Sequence, residues 1–263
     1  MIPLLTNPRI ILISVLIAFF IPVSSSMGQV INVERHRITA DTVNVLTGGL
    51  GLGFNVSQNK SRIMQINTSA DITYISNKHD YIILGKNNFL RVEGNNVLND
   101  GFIHLRSVFF RDNTFAPEIF FQAQYNLDWG LKRRALAGAN ARIRLSERNN
   151  FSAYISSGLM YENEIWEAED EDLREVFNTL KSTTSINVRG RIAQNLDIAA
   201  ISYYQASPSN FLEPRFTSDW QLRFTISENL RFVFQFISTY DADPRLNAVD
   251  FIYNINNLIE VRF

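Results

Sequence analysis

The sequence contains no cysteine. That absence removes disulfides, thiolate zinc sites, cysteine nucleophiles and a lipid-modified N-terminal cysteine together. Histidine is scarce as well. His36, His79 and His104 lie too far apart in sequence to give a metal-ligand spacing, and no cofactor is expected. Prolines number 7 and glycines 12, which excludes collagen-like and low-complexity chains. Neither sign of charge prevails: Lys+Arg is 25, Asp+Glu is 26 and the formal net charge is −1. Without a basic excess to neutralise phosphates, no nucleic-acid partner is expected. Beyond the first two dozen residues no apolar run is long enough for a helical membrane span. What the chain has is 263 residues, enough for one large β domain or two small ones. Hydrophobic residues make up 46% and charged residues 19%, too apolar for disorder. Aromatics reach 12%, with 20 Phe and 9 Tyr.

The one long apolar run, residues 10–20, follows Arg9 and is ended by Pro22. Small residues Ser24, Ser25, Ser26 and Gly28 come next. A positive start, a short apolar core and small residues describe a cleaved secretory signal peptide over 1–28. Eleven apolar residues fall short of the ~30 Å of hydrocarbon that a helix must cross. Export without cysteine suits a protein of the bacterial envelope. A periplasmic segment, 29–43, then precedes a β domain over 44–263.

That domain alternates with period two. Leu50, Leu52, Phe54 and Val56 oppose Gly51, Gly53, Asn55 and Ser57. Ile119, Phe121, Ala123, Tyr125 and Leu127 oppose Phe120, Gln122, Gln124, Asn126 and Asp128. Phe216, Trp220, Leu222 and Phe224 oppose Asp219, Gln221 and Arg223. Successive strand side chains point to opposite faces, so each strand has one oily and one wet side. The alternating segments run to about ten residues or more, the ~9–11 of a tilted membrane strand rather than the ~5–6 of an average soluble one. Aromatics such as Tyr74, Trp129, Tyr161, Tyr203 and Tyr253 fall toward strand ends, as in interfacial girdles.

Twelve strands are expected, at 44–58, 61–75, 80–93, 100–112, 117–129, 131–146, 150–164, 175–191, 195–206, 214–227, 229–241 and 250–263. Strand 80–93 breaks the alternation at Ile82-Ile83-Leu84 and Phe89-Leu90, which suggests a bulge. Short turns near 146–150, 193–195 and 227–229 alternate with longer stretches at 165–174, 207–213 and 242–249. The expected fold class is therefore all-β: a transmembrane antiparallel β-barrel of about 12 strands, with both termini in the periplasm. Tyr253, Ile259, Val261 and Phe263 share one face of the last strand and read as a signal for the barrel assembly machinery.

Alternation also sorts the side chains. Asp71, His104, Arg106, Glu118, Gln122, Gln124, Asn126, Asp128, Lys132, Arg134, Arg142, Arg144, Arg189, Arg191, Asp219 and Arg223 are assigned to a polar network in the lumen. Leu52, Phe54, Phe121, Leu127, Leu222, Phe224, Phe232 and Phe234 are assigned to the lipid side. Arginine outnumbers lysine four to one, which suits fixed bidentate pairs better than mobile point charges. Eight strands are just filled by side chains and about 16 leave a channel, so twelve permits either a filled lumen or a narrow pore.

Other features are better read as structure. Gly49, Gly51 and Gly53 lead into no helix, which rules against a phosphate loop. Glu162, Glu164, Glu167, Glu169, Asp170, Glu171, Asp172 and Glu175 read as an acidic stretch in an external loop, without the spacing of an EF-hand. His104 and Ser107, three apart on a strand, face opposite sides and form no hydrolase pair.

The segment from about 30 to 164 resembles the family of salt-induced outer-membrane proteins of unknown function. The resemblance is carried by His104-Leu105-Arg106, by the block Ala116 to Asn126, by Leu131 to Leu136 with Gly138, and by Tyr161-Glu162. It implies an envelope location and a β-barrel and brings no catalytic residues.

The expectation is thus a non-enzymatic integral protein of the Gram-negative outer membrane with a largely filled polar lumen. It would serve envelope integrity or act as an accessory subunit of a larger outer-membrane complex. Its surroundings would be outer-membrane lipid and lipopolysaccharide. A narrow passive channel for small solutes is the alternative, and a barrel enzyme acting on lipid a lesser one.

Overall fold

The computed structural model describes residues 44–148, 150–167, 174–245 and 249–261. The expected signal peptide over 1–28, the segment 29–43, Phe263 and the acidic residues Glu169, Asp170, Glu171 and Asp172 lie outside the described residues. Twelve strands follow one another: β1 Val45–Gln58, β2 Arg62–Ile75, β3 His79–Val92, β4 Asn95–Phe109, β5 Phe115–Asn126, β6 Leu131–Arg148, β7 Phe151–Glu167, β8 Arg174–Ala193, β9 Leu196–Ser207, β10 Asn210–Thr225, β11 Leu230–Asp241 and β12 Phe251–Val261. They form one sheet in sequence order, every neighbouring pair antiparallel. The chain is an all-β meander, with a single 3-10 turn, Leu127–Trp129, among the described residues.

The expected closure is not reached. No ladder joins β1 to β12 among the described residues, and β1 is exposed along nearly its whole length. The sheet is nevertheless strongly curled. Arg106 on β4 donates to the Tyr203 hydroxyl on β9 at 3.1 Å. Five strand spacings would separate those residues by about 24 Å in a flat sheet. Arg215 on β10 likewise reaches Glu162 and Glu164 on β7.

Curling gives the sheet an inside, and that inside is polar. Among the described residues 25 buried side chains are polar or charged and 14 are hydrophobic. The outer face carries the large apolar residues: Leu50 and Leu52 are each 80% exposed, Phe54 67%, Leu159 52% and Trp220 51%. This inverts the distribution of a water-soluble domain, in which Arg and Glu are almost never buried and large apolar patches are rarely exposed.

Several expected boundaries shift for local reasons. Glu93 and Gly94 both take positive φ (51° and 85°), the two-residue primed turn that fits strand twist. β4 therefore begins at Asn95, five residues earlier than its polar start suggests. The β3–β4 ladder does shift register at Leu90/Arg91, but the extra residue is Val97, so the bulge lies on β4 and not on the expected strand 80–93. The Ile82-Ile83-Leu84 run has another cause: Ile82 and Leu84 turn inward and form a small apolar cluster with Phe102. β5 stops at Asn126, whose side chain accepts from the Trp129 N–H at 3.3 Å while Gly130 takes a left-handed φ of 79°. That cap ends the expected strand 117–129 three residues early and takes Leu127 and Asp128 off the sheet.

Candidate functional site

The inner face holds three groups of polar side chains, spaced along the strands from one end of the sheet to the other. The first lies toward the turns β5–β6, β7–β8 and β11–β12. Antiparallel register sets Arg134 opposite Glu164 and Arg215 opposite Asp241. Arg215 bonds Glu162 at 3.2 Å, Glu164 at 3.0 Å and Asp241 at 2.7 Å. Lys181 reaches Glu162 at 2.5 Å, and Arg134 pairs with Glu162 and, at 3.2 Å, with Glu164. Trp166 donates its indole N–H to Glu164 at 3.3 Å. Three bases thus meet three acids. Buried charges are tolerated only when paired with good geometry and further hydrogen bonds, and this cluster meets that condition. Above it a cavity of about 70 Å³ is bordered by Trp129, Trp166 and Arg245. Arg245 itself lies over the Phe177 ring at 4.1 Å.

The second group is central. Glu118, 1% exposed, lies between Arg106 at 4.0 Å and Arg142 at 3.7 Å. Arg106 also approaches the Phe120 ring (5.9 Å), and Arg142 stacks on Tyr154 at 3.6 Å. His104 Nδ1 shares a 3.0 Å hydrogen bond with Gln122 Oε1, and Gln122 donates to Gln124. His104 Nε2 and Asn140 Oδ1 are buried without a hydrogen-bond partner among the described residues. The space they border holds about 50 Å³, room for a water or two. Nearby, Asp100 accepts from Asn88 at 3.0 and 3.2 Å, and Asp219 from Gln235 at 3.0 Å.

The third group lies at the opposite end, beside the turns β6–β7 and β8–β9. Arg148, Arg189, Arg191 and Arg223, with Glu147 and Asp197, border an opening of about 270 Å³. Register lines up Arg191, Asp197 and Arg223 in one row across β8, β9 and β10. Asp197 accepts from Arg191 at 3.2 Å. Glu147 is held by Arg144 and accepts from the Tyr154 hydroxyl at 3.3 Å. Gly190 permits a close crossing here: its φ is 151°, and a Cβ would stand 2.2 Å from the Asn150 carbonyl oxygen.

Of the residues assigned inward from sequence, His104, Arg106, Glu118, Gln122, Asn126, Arg134, Arg142 and Asp219 are buried. Gln124, Asp71 and Arg144 are half-buried, Asp71 opposite Gly49 and Arg144 tied to Glu147 and to the Asp112 carbonyl at the β4–β5 turn. Arg189, Arg191 and Arg223 meet at the arginine-rich opening. Asp128 departs from its assignment. It sits in the 3-10 turn on the surface, where partial loss of solvent around the carboxylate raises its pKa above the ordinary value, although it accepts from the Asn99 N–H at 3.1 Å. Lys132 also departs, because a bulge at Leu131/Arg133 turns it out to pair with Glu167 at 2.9 Å.

On the outer face Leu52, Phe54 and Phe121 are exposed, and Leu222, Phe224, Phe232 and Phe234 are partly exposed. Phe224 and Phe232 face each other across β10 and β11, ring centroids 6.1 Å apart. Leu127 is exposed but belongs to the turn. Tyr253 and Ile259 are exposed on β12, which Val261 ends. Tyr203, placed by sequence in an interfacial girdle, points inward to Arg106.

Glu162 and Glu164 fall both in the expected strand 150–164 and in the acidic stretch, and the structure decides for the strand. Both belong to β7 and are buried, and Glu167, assigned to the loop, ends that strand. The signal that could have found them is their i,i+2 spacing, out of phase with the apolar Ile165. Lys181, Arg215 and Asp241 were legible by the same parity. Among the described residues no group of three or more His, Asp or Glu is placed to hold a metal ion.

The family described as a protein of unknown function, DUF481, matches residues 47–259. The match reaches into all twelve strands and extends to residue 259, beyond the segment 30–164 that carries the resemblance. Its description names neither salt induction nor an outer membrane. No curated protein matches the chain.

Proposed function

The chain belongs to the DUF481 family, and on that premise we propose that it is a non-enzymatic outer-membrane β-barrel whose polar interior is largely filled by its own side chains. One observation carries the reading: the apolar residues lie on the outside of the curled sheet and the ionised ones are buried within it. An apolar exterior is stable against lipid tails and costly in water. Strands of 11 to 20 residues are long enough to cross hydrocarbon at a tilt. In lipid every backbone group needs a partner, so the free edges of β1 and β12 would pair and close the barrel there. The short turns β6–β7, β8–β9 and β10–β11 would then face the periplasm with both termini, and the acidic β7–β8 connection the cell exterior. The signal peptide would deliver the chain, the last strand would engage the assembly machinery, and lipopolysaccharide would surround the finished barrel.

Filling is supported by the small spaces of about 50 and 70 Å³ beside the first two groups, while the larger opening of about 270 Å³ lies at the end of the sheet. Strands tied together by the ion pairs of Arg134, Lys181 and Arg215 with Glu162, Glu164 and Asp241 would make a stiff cylinder, suited to envelope integrity or to docking on a larger outer-membrane complex.

Two measurements test the proposal. Membranes washed with alkaline carbonate should retain the protein, and recovery in the aqueous fraction would end the membrane reading. In planar lipid bilayers the purified protein should give no unitary current. Stepwise openings of reproducible size would replace the filled barrel with a narrow channel for small solutes.

A further inference from the structure

We propose that the outer face of β6, β7 and β8 carries a binding site for one phosphorylated glycolipid, a lipopolysaccharide held by its headgroup phosphate. The inference rests on the membrane reading above, in which the end of the sheet with the β5–β6 and β7–β8 turns meets the external leaflet. Arg133 is the residue that carries it. Register sets Arg133 opposite Ile165, on the apolar outer face, and it is exposed there. A charge on a lipid face is costly at the bilayer middle and tolerated only near headgroup depth. Arg133 donates to Asn163 Oδ1 at 2.7 Å and has no carboxylate partner among the described residues. Glu167, two residues beyond Ile165 on β7, is held by Lys132 at 2.9 Å.

Asn163 Nδ2 donates in turn to Asn178 Oδ1 at 2.8 Å, and the Tyr161 hydroxyl donates to the same oxygen at 3.2 Å. Both amide oxygens are therefore taken within the group. What remains for a ligand is donors: Asn178 Nδ2 and the other guanidinium N–H groups. Such a group suits an anion that only accepts, and a guanidinium fork bonds two phosphate oxygens at once. The polar level continues on the neighbouring strands, where Asn87 donates to the Tyr125 hydroxyl across Gly101, as in an interfacial belt. Toward the middle of the sheet the same face turns apolar. Phe121 and Tyr161 flank Ala137, and Ile119 and Leu159 flank Ala139. The four large side chains are between 43% and 54% exposed, and the alanines leave a trough about 10 Å wide between them. An acyl chain lying in that trough runs directly from a phosphate on Arg133.

The test uses the full chain purified in detergent from carbonate-washed membranes, with native mass spectrometry counting bound lipid. The probes are rough lipopolysaccharide, the same lipopolysaccharide after phosphatase treatment, and phosphatidylglycerol. The first should bind one to one and more tightly than the other two. Arg133→Gln should weaken it about tenfold, as for loss of a charge-assisted hydrogen bond, and bring it level with the dephosphorylated probe. Arg133→Lys should weaken it by less. Asn178→Ala, which leaves the cation in place, should weaken it about threefold. Arg91→Gln, an exposed arginine on β3, should leave it unchanged. Retention through the carbonate wash answers the membrane reading separately, so failure to bind afterwards falls on the site alone. Equal binding of the two lipopolysaccharides, binding of phosphatidylglycerol as tight or tighter, or equal losses from Arg91→Gln and Arg133→Gln overturns the proposal.

Discussion

The two ends of the inner face use the same chemistry to opposite effect. At the end near the β7–β8 connection Arg134, Lys181 and Arg215 are matched by Glu162, Glu164 and Asp241, and both Glu162 and Glu164 bond more than one cation. At the other end four arginines share two acids, one of which is also bound to Arg144 outside the group. The matched cluster replaces a hydrophobic core, because its charges cancel where no water can solvate them. The unmatched one sits at an opening, where water and small ions reach it and an imbalance is tolerable. Charge balance therefore separates the buried cluster that holds the sheet together from the open, arginine-rich end.

Removing one charge from each end tests that division most sharply. Glu162→Gln leaves Arg134, Lys181 and Arg215 facing two acids in a buried place and should cost about 3–5 kcal/mol in denaturant unfolding. A loss below about 1 kcal/mol would mean that water or ions already screen the cluster. Gly190→Ala should cost about 1–3 kcal/mol, because the new Cβ meets Asn150 O at 2.2 Å and Phe151 Cα at 2.5 Å, backbone atoms that cannot swing aside. An unchanged unfolding midpoint would show that the β6–β7 turn yields easily, and the arginine-rich opening would lose its fixed floor. Arg223→Gln should change stability by no more than about 0.5 kcal/mol, as for a side chain outside any structural network. A loss near that of Glu162→Gln would erase the contrast between the two ends.

Much of this architecture is visible in the linear sequence, since alternation reports which side chains share a face. The parity of Gln122 with Gln124, or of Asp219 with Arg223, survives into the structure because antiparallel register preserves it across strands. Parity fails where the backbone inserts a residue or turns. The bulge at Leu131/Arg133 reverses Lys132, and the Asn126 cap removes Asp128. Neither event leaves a period-two trace. Glu162 and Glu164 were hidden differently: their charge resembles that of the acidic residues following them, although their spacing is that of a strand.

Sequence by itself determined the twelve strands, their sequential order and the oily and wet side of each, because all three follow from local periodicity and turn chemistry. Tertiary structure alone decided which charges meet. Arg106 and Tyr203 are 97 residues apart, and Arg215 and Glu162 are 53 apart. Such pairs form only when the sheet curls, and the degree of curl is set by the accumulated twist of all the strands rather than by any one of them.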